Sequence, residues 1–217
     1  MHILPVTLAI MHIPAFPARG LYAITDGPRA DLIAACAAAL EGGAAVLQYR
    51  DKSADHARRR DEATQLSALC ARRGAPLIIN DDVELAAQVG AAGVHLGEDD
   101  ADITAARIRL GSDAIIGVSC YDSLERARNL AEAGVDYLAF GAFFASPTKP
   151  NARRATLDLL REARTFGKPL VAIGGITPDN AGSLIAAGAD FIAAISGVFA
   201  AADVESTARR YTELFHK

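Results

Sequence analysis

The 217-residue chain contains no tryptophan, and aromatic residues make up only 6% of it, yet its hydrophobic share is 51%. Its core must therefore be built from Ala, Leu, Ile and Val. Cysteine is scarce: Cys36, Cys70 and Cys120 lie far apart and form no CxxC pair. That excludes a disulfide framework or a cysteine zinc site and reads as three reduced thiols of a cytoplasmic protein. Cys120 follows an apolar run and is expected near a site. An excess of basic charge is also missing, with Lys+Arg 22 against Asp+Glu 26 and a net charge of −4, so a nucleic-acid-binding surface is not expected. No hydrophobic run reaches bilayer length. The apolar stretch Ile3–Ile13 is interrupted by Pro5 and has no preceding Lys or Arg, so it is neither a secretory signal nor a membrane span. Residues 1–19 are read as an N-terminal extension, with Met11 as an alternative start, and residues 20–217 as one domain. No GxGxxG opens the first helix, which disfavours a dinucleotide fold.

What the chain does have is a repeat of short apolar runs, polar clusters and helical stretches. The apolar runs are Leu21–Thr25, Val46–Tyr49, Leu77–Ile79, Val94–Leu96, Ile115–Val118, Tyr137–Phe140, Leu170–Ile173 and Phe191–Ile195. They are continuously apolar rather than alternating, as in parallel strands covered on both faces. Between them, Asp31–Glu41, Ala54–Arg73, Val83–Val89, Ile103–Leu110, Ser123–Ala133, Leu157–Phe166, Pro178–Ala187 and Asp203–Phe215 read as helices. Strands alternating with helices are βαβ units, and eight of them close a (β/α)8 TIM barrel of the α/β class. A doubly wound open sheet is the alternative.

Function in such a barrel sits on the loops after the strand C-termini. Here those positions carry Thr25-Asp26, the Gln48–Lys52 stretch, Asn80-Asp81-Asp82, Glu98-Asp99-Asp100, Ser119, the Ser146–Lys149 stretch, Gly174-Gly175 and Ser196-Gly197. Asp81 and Asp100 follow neighbouring strands and suit Mg²⁺, which takes a few carboxylate oxygens and fills its shell with phosphate and water. The competing reading is that each merely caps the helix after it. Arg50 and Lys52 can grip phosphate oxygens, and Lys149 lies beside two hydroxyls as a further clamp. Gly175 and Ser196 follow the seventh and eighth runs, where barrels often hold a phosphate. His95 reads as a structural residue. Together these residues imply a transferase or lyase acting on phosphorylated small molecules, with no nucleic-acid or membrane partner. Homo-oligomer formation is left open.

The ordered set Leu-Tyr-Ala-Ile-Thr-Asp (21–26), Gln-Tyr-Arg-Asp-Lys (48–52), Ile-Asn-Asp-Asp (79–82), Val-His-Leu-Gly-Glu-Asp-Asp (94–100), Gly-Val-Ser (117–119), Ser-Pro-Thr-Lys (146–149), Ile-Gly-Gly-Ile (173–176) and Ile-Ser-Gly-Val-Phe (195–199) resembles the thiamine-phosphate synthase family. That family joins 4-amino-2-methyl-5-hydroxymethylpyrimidine diphosphate to 4-methyl-5-hydroxyethylthiazole phosphate through a dissociative, carbocation route. The resemblance implies that Gln48, Arg50, Lys52 and Asn80 bind the pyrimidine diphosphate, and that Asp81 and Asp100 hold Mg²⁺. It implies that Ser119 and Lys149 contact the diphosphate end, and that Arg50, Ser119 and Lys149 carry the catalysis. Ser146 and Thr148 would bind the thiazole side, with Gly175, Ile195 and Ser196 around its phosphate.

The chain departs from the family pattern at three positions. Glu98 stands where Gln is usual, Ser146 where Thr is usual, and Tyr121 where many relatives carry His. The alternatives are a thiazole tautomerase on the same barrel, which uses a His after the fifth strand, and a non-catalytic phosphometabolite-binding protein.

Overall fold

A computed structural model of the chain describes residues 15–97, 102–145 and 154–216. Eight parallel strands close into a barrel in sequence order: β1 (Gly20–Ile24), β2 (Val46–Tyr49), β3 (Leu77–Asn80), β4 (Gly93–Leu96), β5 (Ile115–Tyr121), β6 (Tyr137–Phe140), β7 (Leu170–Ile173) and β8 (Phe191–Ala194). The helices that return the chain are α1 (Leu32–Glu41), α2 (His56–Arg73), α3 (Val83–Val89), α4 (Ile103–Leu110), α5 (Leu124–Glu132), α6 (Leu157–Ala163), α7 (Gly182–Ala187), α8 (Ser196–Phe199) and α9 (Val204–Thr212). The TIM-barrel expectation holds, and the open-sheet alternative falls because β1 pairs with β8.

Strand side chains alternate between two cores. Residues such as Leu47, Ile79, Val94, Val118 and Phe140 point outward and pack against the helices. Tyr22, Val46, Ile78, Ile115, Tyr137, Val171 and Phe191 point inward and fill the axis. Tyr137 reaches across that axis. A Cβ at Gly117 would lie 1.8 Å from Tyr137 Cζ, so the ring occupies the space a side chain would need. Phe16, ahead of β1, stacks on Tyr137 with 4.8 Å between centroids and meets Phe191 at the same distance. Residues 1–14 of the expected extension lie outside the described residues.

Several boundaries differ from expectation for local reasons. β5 runs on through Tyr121, past the expected end, with a register shift against β6 between Ser119 and Tyr121. The helix expected from Pro178 starts only at Gly182. Before it, Asn180 accepts from Thr177 N and donates to Gly175 O, and these side-chain bonds hold a turn in place of the first helical turn. The last turns of two expected helices tighten to 3₁₀ at Arg164–Phe166 and Glu213–Phe215. Cys120 faces the outer core, and burial pushes its thiol up to about 12. It therefore lines no site. All three cysteines are free and buried.

Candidate active site

The inward register continues to the C-terminal mouth and brings four polar side chains there: Gln48 on β2, Asn80 on β3, His95 on β4 and Ser119 on β5. Gln48, which is 2% exposed, donates from Nε2 to Asn80 Oδ1 at 2.9 Å. Asn80 Nδ2 in turn donates to Asp81 Oδ2 at 2.6 Å, and Lys52 Nζ lies 3.6 Å from that same oxygen. The expected residues Gln48, Lys52, Asn80 and Asp81 thus form one connected chain. Beside it a cavity of about 440 Å³ is lined by Lys52, Arg59, Asn80, Asp81 and Asp82 among others.

The capping question separates the two adjacent aspartates. Asp82 caps α3 by accepting from Leu85 N, and its other oxygen takes Arg59 at 2.9 Å. Asp81 caps nothing. It sits at φ 62°, a left-handed conformation that non-glycine residues adopt at a cost, with its N–H held by His95 O at 2.8 Å. The same logic applies one loop later. The cap of α4 is Asp102, which accepts from Ala105 N. Asp100 itself, with Glu98, lies outside the described residues, as do Ser146, Thr148 and Lys149.

Alternation explains how the loop after β2 is held. Tyr49 and Asp51 face α2: the Tyr49 hydroxyl donates to Glu62 at 2.6 Å, and Arg58 meets the buried Asp51 as an ion pair at 2.7 Å. Burial pushes the Asp51 carboxyl up, but the Ser53 N–H and Arg58 outweigh it and hold the group below the usual carboxylate range. Gln48 and Lys52 take the opposite side. The Arg50 backbone is fixed at both ends by the fully buried Thr25, whose hydroxyl donates to Arg50 O and accepts from Arg50 N. Thr25 and Arg58 are supports that composition and motif order did not single out as such.

His95 is not an isolated core residue. Its Nδ1 lies 2.9 Å from the Tyr137 hydroxyl and its Nε2 lies 2.9 Å from Ser119 Oγ. Burial, partly opposed by the Asp81 charge, lowers its pKa to about 4. Ser119 is also tied through its carbonyl, which accepts from Arg126 Nε at 2.8 Å, while Arg126 Nη2 reaches Gly97 O at 3.2 Å. Arg126 therefore straps the end of β5 to the start of the loop that carries Asp100.

The ends of β7 and β8 lie on the other side of the mouth. Ile173 and Ile195 pack as half-buried residues on the inner core. Gly175, at φ 63°, lies under the loop after β6: a Cβ there would sit 2.6 Å from Ala145 O, so that loop can cross only over glycine. Ser196 is exposed and opens the four-residue α8. Gly175 thus follows β7, and Ile195 and Ser196 follow β8, across the barrel from Asp81 at the end of β3.

A sequence model of the family described as thiamine monophosphate synthase matches residues 21–198. The chain belongs to the thiamine monophosphate synthase family. Relatives named thiamine-phosphate synthase include one from Xanthomonas campestris pv. campestris, 57% identical over 196 residues covering 89% of this chain and 94% of its own. Another, from Methylococcus capsulatus, is 53% identical over 209 residues, covering 95% of this chain and 93% of its own. Among solved structures, the thiamine phosphate pyrophosphorylase of Pyrococcus furiosus superposes with a TM-score of 0.83 at 34% identity, covering 92% of this chain and 96% of its own. As a member of this synthase family, the chain carries its mouth on the same barrel. Among the described residues no helix is long and apolar enough to cross a membrane.

Proposed function

We propose that this barrel is a thiamine-phosphate synthase in the cytoplasm, joining a pyrimidinylmethyl diphosphate to a thiazole phosphate with release of diphosphate. The observation that carries the reading is the linked Gln48–Asn80–Asp81–Lys52 chain, in which Asp81 is kept out of helix capping and held in a strained backbone. Residues held in such conformations cluster at active sites and ligand clamps. In the reaction the methylene C–O bond breaks and its electron pair leaves on the diphosphate. The thiazole nitrogen then gives its lone pair to the pyrimidine-stabilised carbocation. No proton has to be removed, so charge compensation at the leaving group matters more than a general base.

The residues divide that work. Gln48 and Asn80 hydrogen-bond the pyrimidine half, while Arg50, Lys52, Ser119 and Lys149 receive the diphosphate charge. Ser146 and Thr148 take the thiazole side, and Gly175, Ile195 and Ser196 its phosphate. The described residues contain no cluster of three or more His, Cys, Asp or Glu that could hold a metal. The donor set nonetheless suits Mg²⁺, an ion that keeps most of its water and phosphate ligands and needs only one or two carboxylates. Asp81 and Asp100 would hold it, and when bound it neutralises the departing diphosphate. Tyr121 stands where the tautomerase alternative would carry its histidine, and a phenol is not an imidazole, which disfavours that alternative.

The test mixes both substrates with the purified protein and Mg²⁺. Thiamine phosphate and diphosphate should form in equal amounts, and EDTA should stop the reaction. No thiamine phosphate would refute the activity; full rate in EDTA would refute the metal.

A further inference from the structure

The barrel axis holds an unbroken line of hydrogen bonds that ends at the mouth. Tyr22 and Tyr137 share one between their hydroxyls at 2.7 Å, Tyr137 meets His95 Nδ1 at 2.9 Å, and His95 Nε2 meets Ser119 Oγ at 2.9 Å. Both tyrosines are essentially inaccessible to solvent. A single hydrogen-bond direction is set by counting protons along this line.

If Nδ1 carries the histidine proton, it donates to the Tyr137 oxygen. The two tyrosines then share one hydrogen bond, and either hydroxyl can be its donor. If Tyr137 donates, the Tyr22 proton is left in the apolar axis, where among the described residues its hydroxyl meets only Tyr137; if Tyr22 donates, the Tyr137 proton is left instead. A doubly protonated ring forces the same outcome. Leaving a buried donor unmatched is costly. If instead Nε2 carries the proton, every group is matched: Tyr22 donates to Tyr137, Tyr137 donates to Nδ1, and Nε2–H donates to Ser119 Oγ. The serine then accepts from the ring, and its own hydroxyl proton is turned to the mouth.

We infer that His95 is a positioning residue which, as its Nε2–H tautomer, makes Ser119 a hydrogen-bond donor to the oxygens of the diphosphate group. The inference rests on the proposed activity for the identity of the anion, but the tautomer does not. Tyr22 and Tyr137 set the direction, so the floor of the barrel dictates what one mouth residue offers its substrate. A serine in the opposite sense would present only lone pairs to an anion and repel it.

Two measurements test this. First, the ¹⁵N spectrum of the labelled full-length protein, without substrate, is recorded near neutral pH. The His95 signals are assigned by their loss in His95→Gln, or through the Tyr137→Phe spectrum if that variant does not fold. His95 should show a protonated Nε2 and a lone pair on Nδ1. Tyr137→Phe, which keeps the ring but removes the hydroxyl that donates to Nδ1, should shift the Nδ1 signal as its lone pair loses that donor, while Nε2 stays protonated. A wild-type ring protonated on Nδ1 overturns the proposal. Second, His95→Gln and Ser119→Ala are compared singly and together. Ser119→Ala should lower kcat by about 10-fold or more while changing KM for the thiazole phosphate by less than about twofold. His95→Gln should lower kcat in the wild-type background and change it by less than about twofold once Ser119 is gone. Additive losses overturn the proposal. Absence of thiamine phosphate from the wild-type protein would sink the activity, with the tautomer still read by the spectrum.

Discussion

Replacing Asp81 by glycine should nearly abolish activity while leaving the fold as stable as before. The φ of 62° at Asp81 costs a non-glycine residue about 1–2 kcal/mol, and glycine removes that cost. Glycine itself loses more backbone freedom on folding, about 0.5–1 kcal/mol. The ion pair with Lys52 is 3.6 Å long and its lysine is 64% exposed, so it contributes at most about 1 kcal/mol. Asn80 Nδ2 loses an acceptor, which costs about 1 kcal/mol net. These terms cancel to within about 1–2 kcal/mol, a Tm change of no more than about 8 °C in a chain of this size. The rate should fall about 10²-fold or more, the scale of losing one preorganised charge-compensating group. Asp81→Asn, which tolerates the left-handed conformation, is the companion: unchanged Tm, lost rate. Thermal melts and thiamine phosphate formation across a Mg²⁺ titration measure both. A stability loss above about 3 kcal/mol would make Asp81 a structural residue, since it exceeds every contact it makes. Full rate in Asp81→Asn at saturating Mg²⁺ would remove it from the chemistry.

Gly117→Ala places a methyl group 1.8 Å from Tyr137 Cζ, so it should destabilise the fold by about 3 kcal/mol and lower the rate as Tyr137 is displaced; denaturant melts and initial rates check this. Arg58→Leu leaves the buried Asp51 without its cation and should cost about 2–3 kcal/mol, less than for a fully buried pair because Arg58 is 28% exposed. Asp51 is held below its unfolded pKa, so its stabilising contribution is present above about pH 4 and lost as pH falls through the lower folded value. Without Arg58 the acid-unfolding midpoint should therefore move up, and an unchanged midpoint would exclude the pair as a stabilising element. Arg126→Ala frees Ser119 O and Gly97 O together; it should raise the Mg²⁺ concentration needed for half-maximal rate while shifting Tm by only a few degrees, as a Mg²⁺ titration and a melt would show.

The barrel was legible because strands covered on both faces must be apolar throughout, and this chain alternates such runs with capped helices. Asp55, Asp82, Asp102, Ser123 and Asp203 each accept from the third backbone N–H of their helix, which is why the helix starts could be read closely. The start of α7 was misread because Asn180 acts through the fold, bonding to Gly175 O and Thr177 N rather than continuing a helix from Pro178. That Gln48, Asn80 and Asp81 gather at one mouth was legible because chain order in a closed barrel places them at neighbouring strand ends, while the roles expected of Gln48 and Asn80 came from the family resemblance. His95 and Tyr137 were not, since they lie 42 residues apart and meet only when β4 and β6 curve around one axis. Arg126 was hidden for the same reason: its partners are main-chain carbonyls, which leave no trace in side-chain identity.

The fit between Gly117 and Tyr137 makes two distant positions answer to each other across generations. A descendant that gains a side chain at the first must already have shrunk the second, and one that shrinks the second alone leaves a hollow at the barrel's centre. Either first step is penalised, so the pair should change together or stay fixed. Among relatives, glycine at the one position should accompany a large ring at the other, as a linked inheritance imposed by volume alone.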